Sequence, residues 1–575
     1  MTSPLDAKTR RGCRVVWRHG PLVADDPLSA WQGLLSARGL TESAPFFTPR
    51  LTDLPDPDGM RDMDRAAGRL VAAITGEEPI HIFGDFDADG ANGTAILVEA
   101  LRGAGAHVSF SIPHRVDDGH GIGVVPVLEA HAAGVQLGIS VDTGTHCFEA
   151  CSQARKLGFD LIVTDHHLPE TTLPPAFALL NPAREDCGFA ERKLCGAGVA
   201  FFLLMCVWKR LRDQGRPPAF DLRGLLDRVA VATVADVMDL TGVNRILVHH
   251  GLQRLNTSPS VGMAALMRVA KVRKPVSAET IGYYLAPRIN AAGRMRHGEE
   301  AMRLLSTDDT DEAVQLARVL DETNRHRRQV EAEVFRQAET RLVGENVLAV
   351  YDQAWHAGVV GLAAGRLARK HGKPAAVGFV TPDGRVRISL RGRPGFHIGN
   401  LLNACREHLE AFGGHAGAGG GTVKQGNWEL FRSAFAEAVS KQADHVADHL
   451  VQPIDGMLGI GAMHIGLAER LARFEPLGNG NPACIWLLKD VRITDRRDLK
   501  GGVVRLKLSN GSRWLDGIVF GTPVLDNDLQ RGRIVSLIGR LQKDDWRGNG
   551  AVQFVIDDAL ENPQDKPLHL VNAGQ

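Results

Sequence analysis

Three aspartates are crowded into the segment HIFGDFDADG, residues 81–90, directly after an apolar run. Asp85, Asp87 and Asp89 carry like charges, so this spacing is unfavourable unless a cation lies among them. A divalent metal ion removes the repulsion, because carboxylate oxygens are the ligands that Mg²⁺ and Mn²⁺ prefer. The segment therefore predicts a metal site.

Two further apolar runs end in side chains of the same kind. Asp142 follows LGISV, and Asp165, His166 and His167 follow DLIVT. These runs alternate with helical patterns, which predicts right-handed crossovers and a mainly parallel sheet. Because ligands bind at the carboxyl ends of parallel strands, we expect these side chains to meet at one edge of the sheet. Asp236 follows a helical run and can reach the same edge.

Carboxylates with one or two imidazoles suit Mn²⁺, and Mg²⁺ where oxygen ligands dominate. Two ions about 3.5–4 Å apart, sharing a carboxylate, can ionise a water and hold a phosphate for in-line attack. The competing interpretation is that an aspartate at a strand end only caps a helix or forms a turn. A calcium loop fits poorly, because position 96 is Ile where such a loop needs Glu. The coincidence at three strand ends favours a metal site.

The composition describes an ordinary globular protein of three or four domains, with 575 residues, 44% hydrophobic and 23% charged. Its 67 basic and 67 acidic residues cancel, so an anionic substrate has to be met by local cationic clusters. The eight scattered cysteines predict reduced thiols. Neither an apolar signal core nor a membrane-length apolar run occurs. We expect a soluble, cytoplasmic protein that does not enter membranes.

Changes of pattern divide the chain into five parts. Residues 311–342 contain no Gly or Pro, which predicts one connecting helix about 48 Å long. Alternating runs around an Asn-Gly turn predict a hairpin in a small, OB-type β-barrel. The expected order is an N-terminal extension (1–75), a mainly parallel α/β domain (76–310), the long helix (311–342), a second α/β domain (343–445) and the β-barrel domain (446–575).

Four short motifs, GDFDADG, VDTG, TDHH and VADV, resemble those of the DHH phosphoesterases in order and spacing. The segments LPETTLPPAFALLNP, CGAGVAFFLL, LAPRINAAGRM, WHAGVVGLAAGRLA and EPLGNGNP resemble the RecJ group within that superfamily. The resemblance runs from about residue 70 to about residue 560. It implies that 76–310 is a DHH catalytic domain, 343–445 a DHH-associated (DHHA1) substrate-binding domain and 446–575 an OB-like strand-binding domain.

The resemblance implies a 5′-to-3′ exonuclease that degrades single-stranded DNA to mononucleotides by two-metal-ion hydrolysis in DNA repair and recombination. Its cofactors would be two Mn²⁺ or Mg²⁺ ions, and its partners single-stranded DNA, a single-strand-binding protein and a helicase. Asp142 would bridge the ions, with Asp87 on one ion and with Asp89, His166 and Asp236 on the other.

Three positions around that ligand set are less defined. Asp85 either ligates or supports a ligand, and His167 is a catalytic phosphate contact or a support for the ligands. Some members of the superfamily have a His where this chain has Phe83, a residue that cannot ligate. The first ion is then held more weakly, or by Asp85 and water.

Local cations and an aromatic residue must hold the DNA in a chain of zero net charge. The alternatives are that the arginines belong to solvated faces, that the Gly-rich segment GGHAGAGGG is a plain turn, and that the tryptophan is a core residue. A base-stacking tryptophan is the functional alternative for the barrel. The candidate nucleic-acid-binding residues are Arg115, Arg288, Asn290, Arg294, Arg391, His415 and Trp514.

Two other functions compete with the exonuclease. A DHH phosphodiesterase for short oligonucleotides or cyclic dinucleotides would not need the C-terminal barrel. A non-catalytic replication-fork scaffold would not need an intact set of ligands. Polarity of attack and preference for DNA over RNA cannot be read from the residues themselves.

Overall fold

The computed structural model describes residues 4–113, 121–342, 347–424, 426–446, 450–521, 525–544 and 550–561. The chain begins with short strands followed by a helix that Asp26 caps at its N-terminus through the Leu28 and Ser29 amides. These elements are β1 (Pro4–Lys8), β2 (Arg14–Trp17), β3 (Val23–Ala24) and α1 (Pro27–Ala37).

A five-stranded parallel sheet, in the order β5-β4-β6-β7-β8, forms the centre of the DHH-like domain. The strands β4, β6, β7 and β8 are mainly apolar and buried, as expected of a parallel sheet covered by helices, whereas the edge strand β5 is partly exposed. The parallel sheet predicted from the alternating pattern is confirmed. The elements are α2 (Met63–Thr75), β4 (Ile80–Phe83), α3 (Ala88–Gly103), β5 (Val108–Ser111), α4 (Val124–Ala132), β6 (Leu137–Val141), α5 (Phe148–Leu157), β7 (Asp160–Thr164) and β8 (Ala178–Leu180).

A helical layer follows the sheet, and its helices α6 and α7 pack mainly on α3, while α3 and α6 contact the strands. A π-helical segment, Ile281–Leu285, precedes α11. The helices are α6 (Gly196–Asp213), α7 (Leu226–Ala235), α8 (Gly242–Thr257), α9 (Val261–Val269), α10 (Ala278–Thr280), α11 (Ala286–Met295), α12 (Glu299–Ser306) and α13 (Thr310–Arg341).

The predicted connecting helix is confirmed as α13, which spans 32 residues. Its N-terminal half packs on α9 and α11, and its C-terminal half packs on α14 of the next domain. That domain has a sheet in the order β12-β13-β11-β10-β9, in which only the β9–β10 pair is parallel. Its elements are β9 (Leu348–Asp352), α14 (Ala357–His371), β10 (Ala375–Val380), β11 (Val386–Arg391), α15 (Ile398–Ala404), β12 (Leu409–Gly414), β13 (Ala418–Val423) and α16 (Trp428–Val446).

The C-terminal domain contains a closed barrel. Its strands run β17-β18-β20-β19-β16, and a β16–β17 pairing closes the ring. The barrel prediction is confirmed, with the Asn-Gly turn between β17 and β18. The elements are β14 (Val451–Ile454), β15 (Gly456–Leu458), α17 (Ile465–Ala472), β16 (Trp486–Leu499), β17 (Val503–Ser509), β18 (Trp514–Phe520), β19 (Ile534–Lys543) and β20 (Val552–Ala559).

The N-terminal strands pair with this last domain. β14 adds to β2 in parallel, and β3 adds to β15. Trp31 of α1 packs edge-on against Phe474 in a core that also contains Trp486 of the barrel. The extension predicted for residues 1–75 is thus joined to the C-terminal domain through two sheets and a shared core.

All eight cysteines lie in the described ranges, and none forms a disulfide, as the sequence predicts. Among the described residues, every helix is too short or too polar to cross a membrane.

Candidate metal centre

The carboxyl ends of β4, β6 and β7 lie side by side in the parallel sheet. The loops that follow these strands bring the predicted acids and imidazoles to one place, and the end of α7 brings Asp236 to it. Potential ligand atoms form three groups, each with its atoms within 4.8 Å of one another. The groups are Asp85, Asp87 and Asp142; Asp89, His166 and Asp236; and Asp142, Asp165, His166 and His167.

Asp87 serves as the N-cap of α3. Its Oδ1 accepts hydrogen bonds from the amides of Asp89 (2.9 Å) and Gly90 (3.1 Å). The helix-cap alternative is thus correct for Asp87, but it does not exclude a ligand role, because a carboxylate has a second oxygen. Asn290 fixes the same turn, since its Oδ1 accepts from the Ala88 amide at 2.8 Å.

The N-terminus of α6 holds Asp89. The carboxylate accepts from the amides of Gly196 (2.6 Å) and Ala197 (2.8 Å), where the helix presents unpaired N–H groups and positive potential. A Cβ on Gly196 would lie 2.7 Å from the Cα of Asp142, so only glycine allows this approach. Sequence reasoning missed these two amides; the signal for them is the small-residue segment CGAGVA at a helix start.

Asp142 lies at the centre of the cluster and is 3% exposed. Its backbone is left-handed (φ 62°), which aspartate tolerates better than most residues. Its Oδ1 lies 3.0 Å from Nε2 of His166, and the same Nε2 lies 3.8 Å from Asp89 and 3.6 Å from Asp236. One imidazole nitrogen therefore faces three carboxylates.

Asp165 organises the two histidines, a role that the sequence did not predict. Its Oδ1 accepts from Nδ1 of His167 (2.7 Å) and from the backbone amide of His166 (2.7 Å). Its Oδ2 accepts from the Thr145 amide at 2.8 Å. A buried carboxylate directly after a strand and before two histidines was the available signal.

The electrostatics of the cluster favour a bound cation. Burial raises the pKa of Asp142 well above its usual range, and the charges of Asp89 and Asp87 raise it further. Burial and the same two neighbours raise the pKa of Asp236 to about 8. Burial also lowers the pKa of His166. In the absence of a cation the carboxylates cannot all stay ionised, and a metal ion removes this conflict.

The pKa values of Asp165 and His167 shift in opposite directions. The hydrogen bond that His167 donates to Asp165 raises the pKa of His167 to about 9, so its imidazole is cationic at neutral pH. Burial pushes the pKa of Asp165 upward, but the hydrogen bonds from His167 and Thr145 outweigh burial and lower it.

The residues present fit a divalent ion. Oδ2 of Asp236 is buried and accepts no hydrogen bond from the described residues. Such an oxygen, 3.6 Å from an imidazole nitrogen, needs a positive partner. Oxygen donors with a neutral imidazole are the set that suits Mn²⁺ or Mg²⁺. Phe83 is not part of this set, because its ring is buried and packs against His81 and Phe159.

The candidate DNA-binding residues have different surroundings. Arg115 lies outside the described residues. Arg288 is buried, with its Nε 2.9 Å from Asp321 and its Nη1 donating to the Tyr284 carbonyl, so packing and not phosphate binding accounts for it here. Arg294 lies at the contact with the DHHA1-like domain, 3.5 Å from the Gly358 carbonyl.

A groove of about 720 Å³ in the second domain brings Arg391 and His415 together with Arg387 and Ser389. One wall is the run of glycines in β12 and β13, residues 413–414 and 419–421. Without side chains, this wall leaves the backbone open to a close approach by a ligand. The Gly-rich segment thus forms a strand pair that lines a groove, which is more than a plain turn.

Trp514 is on the outer face of the barrel and 66% exposed, so the core alternative is wrong for this residue. Phe520, on the same face of β18, is 57% exposed. Arg505 and Lys507 of the neighbouring strand lie opposite Ile518 and Asp516, between the two aromatic residues. Two basic side chains thus lie between two exposed aromatic rings on this face, with Asp516 beside them.

Comparison with known families divides the chain into three matched regions. Residues 79–233 match the N-terminal domain of the DHH family, residues 344–441 match the DHHA1 domain, and residues 454–558 match the RecJ OB domain.

Curated relatives match over nearly the whole chain. The single-stranded-DNA-specific exonuclease RecJ of Salmonella typhimurium is 34% identical over 563 residues, which covers 92% of this chain and 94% of that protein. RecJ of Bacillus subtilis is 31% identical, covering 94% of this chain and 68% of its own length.

Solved structures of RecJ proteins match the fold of this chain. The crystal structure of RecJ from Thermus thermophilus in complex with Mn²⁺ superposes with a TM-score of 0.76 at 28% identity, covering 96% of this chain and 80% of that one. A manganese-bound exonuclease RecJ gives 0.58 at 33% identity, covering 68% of this chain and 96% of that one. With three matched domains in order and this coverage, the chain belongs to the RecJ family.

Proposed function

We propose that this chain is a metal-dependent exonuclease that degrades single-stranded DNA from its 5′ end to mononucleotides. The observation that carries the proposal is the cluster around Asp142, in which the pKa values of buried carboxylates are raised and one buried oxygen accepts no hydrogen bond from the described residues. Relatives named as single-stranded-DNA-specific exonucleases support the substrate class. The 5′ polarity, like a role in DNA repair and recombination, rests on family membership.

We assign the ligands to two ions, Mn²⁺ or Mg²⁺, that share Asp142. Asp85 and Asp87 would hold one ion, and Asp89, His166 and Asp236 would hold the other. Two of the three groups of ligand atoms support this division. When bound, two such ions activate a water and stabilise the charge of the phosphate under attack. The protein contributes rigid placement, through the α6 amides on Asp89 and through Asn290 on the first turn of α3.

His167 contacts the phosphate in this proposal. Its Nδ1 proton is directed at Asp165, so the cationic ring presents its Nε2–H outward. The side chain is 52% exposed, unlike that of His166, which is 13% exposed. A cationic donor beside the ions suits the negative charge that accumulates on the phosphate oxygens.

The strand is held by two further surfaces. The groove with Arg391 and His415 takes a nucleotide of the strand, since guanidinium groups suit phosphate and the glycine wall allows a close approach. The barrel face with Trp514 stacks bases farther along the strand. A single-strand-binding protein, a helicase and a cytoplasmic setting belong to the proposal on family grounds alone.

A digest of end-labelled strands tests the function. With full-length protein and Mn²⁺, the 5′ label of a long single strand should appear first as a mononucleotide, while a 3′ label stays on the shortening strand. Early release of the 3′ label would reverse the polarity. Cleavage of a dinucleotide but not of the long strand would favour the small-substrate phosphodiesterase, and inert protein would favour the scaffold. An RNA strand of the same sequence tests the preference for DNA.

A further inference from the structure

The segment between α17 and β16 lies against the DHH domain. Arg245 of α8 is 3% exposed and donates to the main-chain carbonyls of Phe474 (2.9 Å), Glu475 (2.8 Å) and Phe46 (2.9 Å). Its guanidinium lies 3.7 Å from the centroid of the Phe46 ring. A planar cation satisfied by several carbonyls fixes the position of this segment on the catalytic domain.

The tip of the same segment is a turn in which Gly478 and Asn481 form a bridge. Here Asn479 meets the residues that follow α7. Its Nδ2 donates to Oδ1 of Asp239 at 2.6 Å and to the Val237 carbonyl at 3.2 Å. Its own carbonyl accepts from the Leu240 amide at 2.7 Å. One asparagine therefore makes three hydrogen bonds to residues 237–240.

Residues 237–240 directly follow Asp236, which ends α7. Val237 is 67% exposed, and its φ of 57° is a left-handed conformation that a β-branched residue rarely adopts. Such a conformation persists only where the surroundings hold it. The Val237 amide bonds back to the Val234 carbonyl, and Asn479 holds the Val237 carbonyl.

Asp239 is held from a second side. Nζ of Lys193 lies 2.7 Å from its Oδ2, and the Lys193 carbonyl accepts from Asn244 at 2.6 Å. Lys193 lies two residues before Cys195, the N-cap of α6. The amides at that end of α6 hold Asp89. Asp239 follows the proposed ligand Asp236 and pairs with Lys193, which precedes the helix end that holds Asp89. Through Asn479, Asp239 joins both segments to the barrel domain.

We propose that Asn479 is a positioning residue for the metal centre. By holding Asp239 and the Val237 carbonyl, it keeps the end of α7 turned so that Asp236 faces Asp89 and His166. The inference rests on the proposed function in one respect, namely that Asp236 binds metal. It makes the barrel domain a contributor to metal binding in addition to its role on the strand.

Binding of Mn²⁺ alone to the full-length chain tests the proposal, because this readout needs neither DNA nor turnover. Partners of metal ligands typically change affinity about 10- to 100-fold, and Asn479 acts one contact farther away. Asn479→Ala should therefore raise the Kd for Mn²⁺ about 3- to 10-fold. Activity should recover when Mn²⁺ is raised, and the melting temperature should stay close to that of the wild type.

His250→Ala is the matched control. His250 also reaches across from α8, to the Pro49 carbonyl at 3.1 Å, and its hydrogen bonds within the described part of the chain go to Pro49 and Gln253 and not to residues 236–240. The His250→Ala variant should bind Mn²⁺ with the same affinity as the wild type. If His250→Ala and Asn479→Ala weaken Mn²⁺ binding equally, Asn479 serves general docking and the proposal is wrong.

Two further variants keep the proposal testable if Asn479→Ala does not fold. Asp239→Ala removes the Asn479 contact from the catalytic side together with the Lys193 ion pair, and it should weaken Mn²⁺ binding at least as much as Asn479→Ala. Asn479→Asp places a carboxylate against Asp239 and should weaken Mn²⁺ binding more, and adding Asp239→Asn should recover part of that loss. Affinities within about twofold of the wild type for these variants would overturn the proposal.

Asp142→Ala distinguishes failure of the proposed metal centre from failure of the proposed role of Asn479. If this variant binds Mn²⁺ like the wild type, the metal centre itself is wrongly assigned. If it loses Mn²⁺ while Asn479→Ala does not, only the role of Asn479 fails.

Discussion

Nδ1 of His167 lies 2.7 Å from Oδ1 of Asp165, and this contact divides two adjacent histidines. It raises the pKa of His167 to about 9, while burial lowers the pKa of its neighbour His166. At neutral pH one imidazole is a cation and the other is neutral. A neutral imidazole ligates metal and a cationic one does not, so the two residues cannot exchange roles.

Substitution of the two histidines should therefore have different effects. His166→Ala should weaken Mn²⁺ binding by more than the roughly 10- to 100-fold that loss of a ligand's partner causes, because it removes the ligand itself. His167→Ala should keep its metal affinity and lose turnover, by about 100-fold at saturating Mn²⁺. Mn²⁺ titrations and steady-state rates of both variants check this. Equal metal affinities would contradict the assignment.

The alkaline limit of activity should depend on Asp165. The protonated form of His167 persists up to a pH of about 9, so a rate that needs this cation should fall as the pH rises through that value. Asp165→Asn removes the charge that favours the cation and should move the fall to lower pH. The rates of the wild type and of Asp165→Asn on a short single strand, measured with Mg²⁺ as a function of pH, give the shift of this fall. An unmoved profile would exclude His167 as the group that titrates.

Asp142→Ala should reduce the rate below about a tenth of that of the wild type, even in saturating Mn²⁺, because both ions lose a shared ligand. The protein should still fold. Asp64→Ala is the control, since Asp64 lies on the surface and pairs with Arg210. A folded Asp142→Ala protein above that rate would refute a shared carboxylate.

Metal-free protein should lose stability between about pH 4 and pH 8. Asp236 has a pKa raised to about 8 when folded, against 3.8 when unfolded, so the folded state binds more protons in this window. Stability therefore falls as pH rises there. Asp236→Asn should raise the melting temperature in EDTA at pH 8 by about 2–5 °C and should abolish part of the stabilisation by Mn²⁺. A variant that melts lower than wild type in EDTA would contradict this reasoning.

Trp514→Ala should raise the KM for long single strands several-fold and leave a strand too short to reach the barrel unaffected. Stacking of one base contributes about 1–3 kcal/mol. Trp514→Phe, which keeps an aromatic face, should retain most of the affinity. Equal losses on long and short strands would assign the residue a structural role. Deleting the whole C-terminal domain is a poorer test, because it would also remove β14 and β15, the partners of β2 and β3.

Local pattern was sufficient to predict the catalytic sheet. The apolar runs before Asp85, Asp142 and Asp165 are strands. In a parallel sheet the carboxyl ends of the strands lie at one edge, so these residues come together independently of the rest of the fold. The α13 helix was predictable for a similar reason, since its sequence has no residue that breaks a helix.

Contacts between distant segments were not predictable in this way. The burial of Arg288 against Asp321 depends on how α11 packs on α13. The exposure of Trp514 depends on which face of β18 turns outward. Asn479 and Asp239 lie 240 residues apart, and neither has a local pattern that refers to the other.

The pairing of β2 with β14 also dictates an order of events during synthesis. Arg14 and Val451 are partners, although about 440 residues separate them. At about 5–20 residues per second, the first strands leave the ribosome roughly 20–90 s before their partner exists. Trp17 and Trp31 become buried only after a similar interval, because their cores contain residues of the C-terminal domain. β2 therefore reaches its final structure only after β14 has been made, and a chain that stops before residue 451 leaves β2 exposed to misassembly.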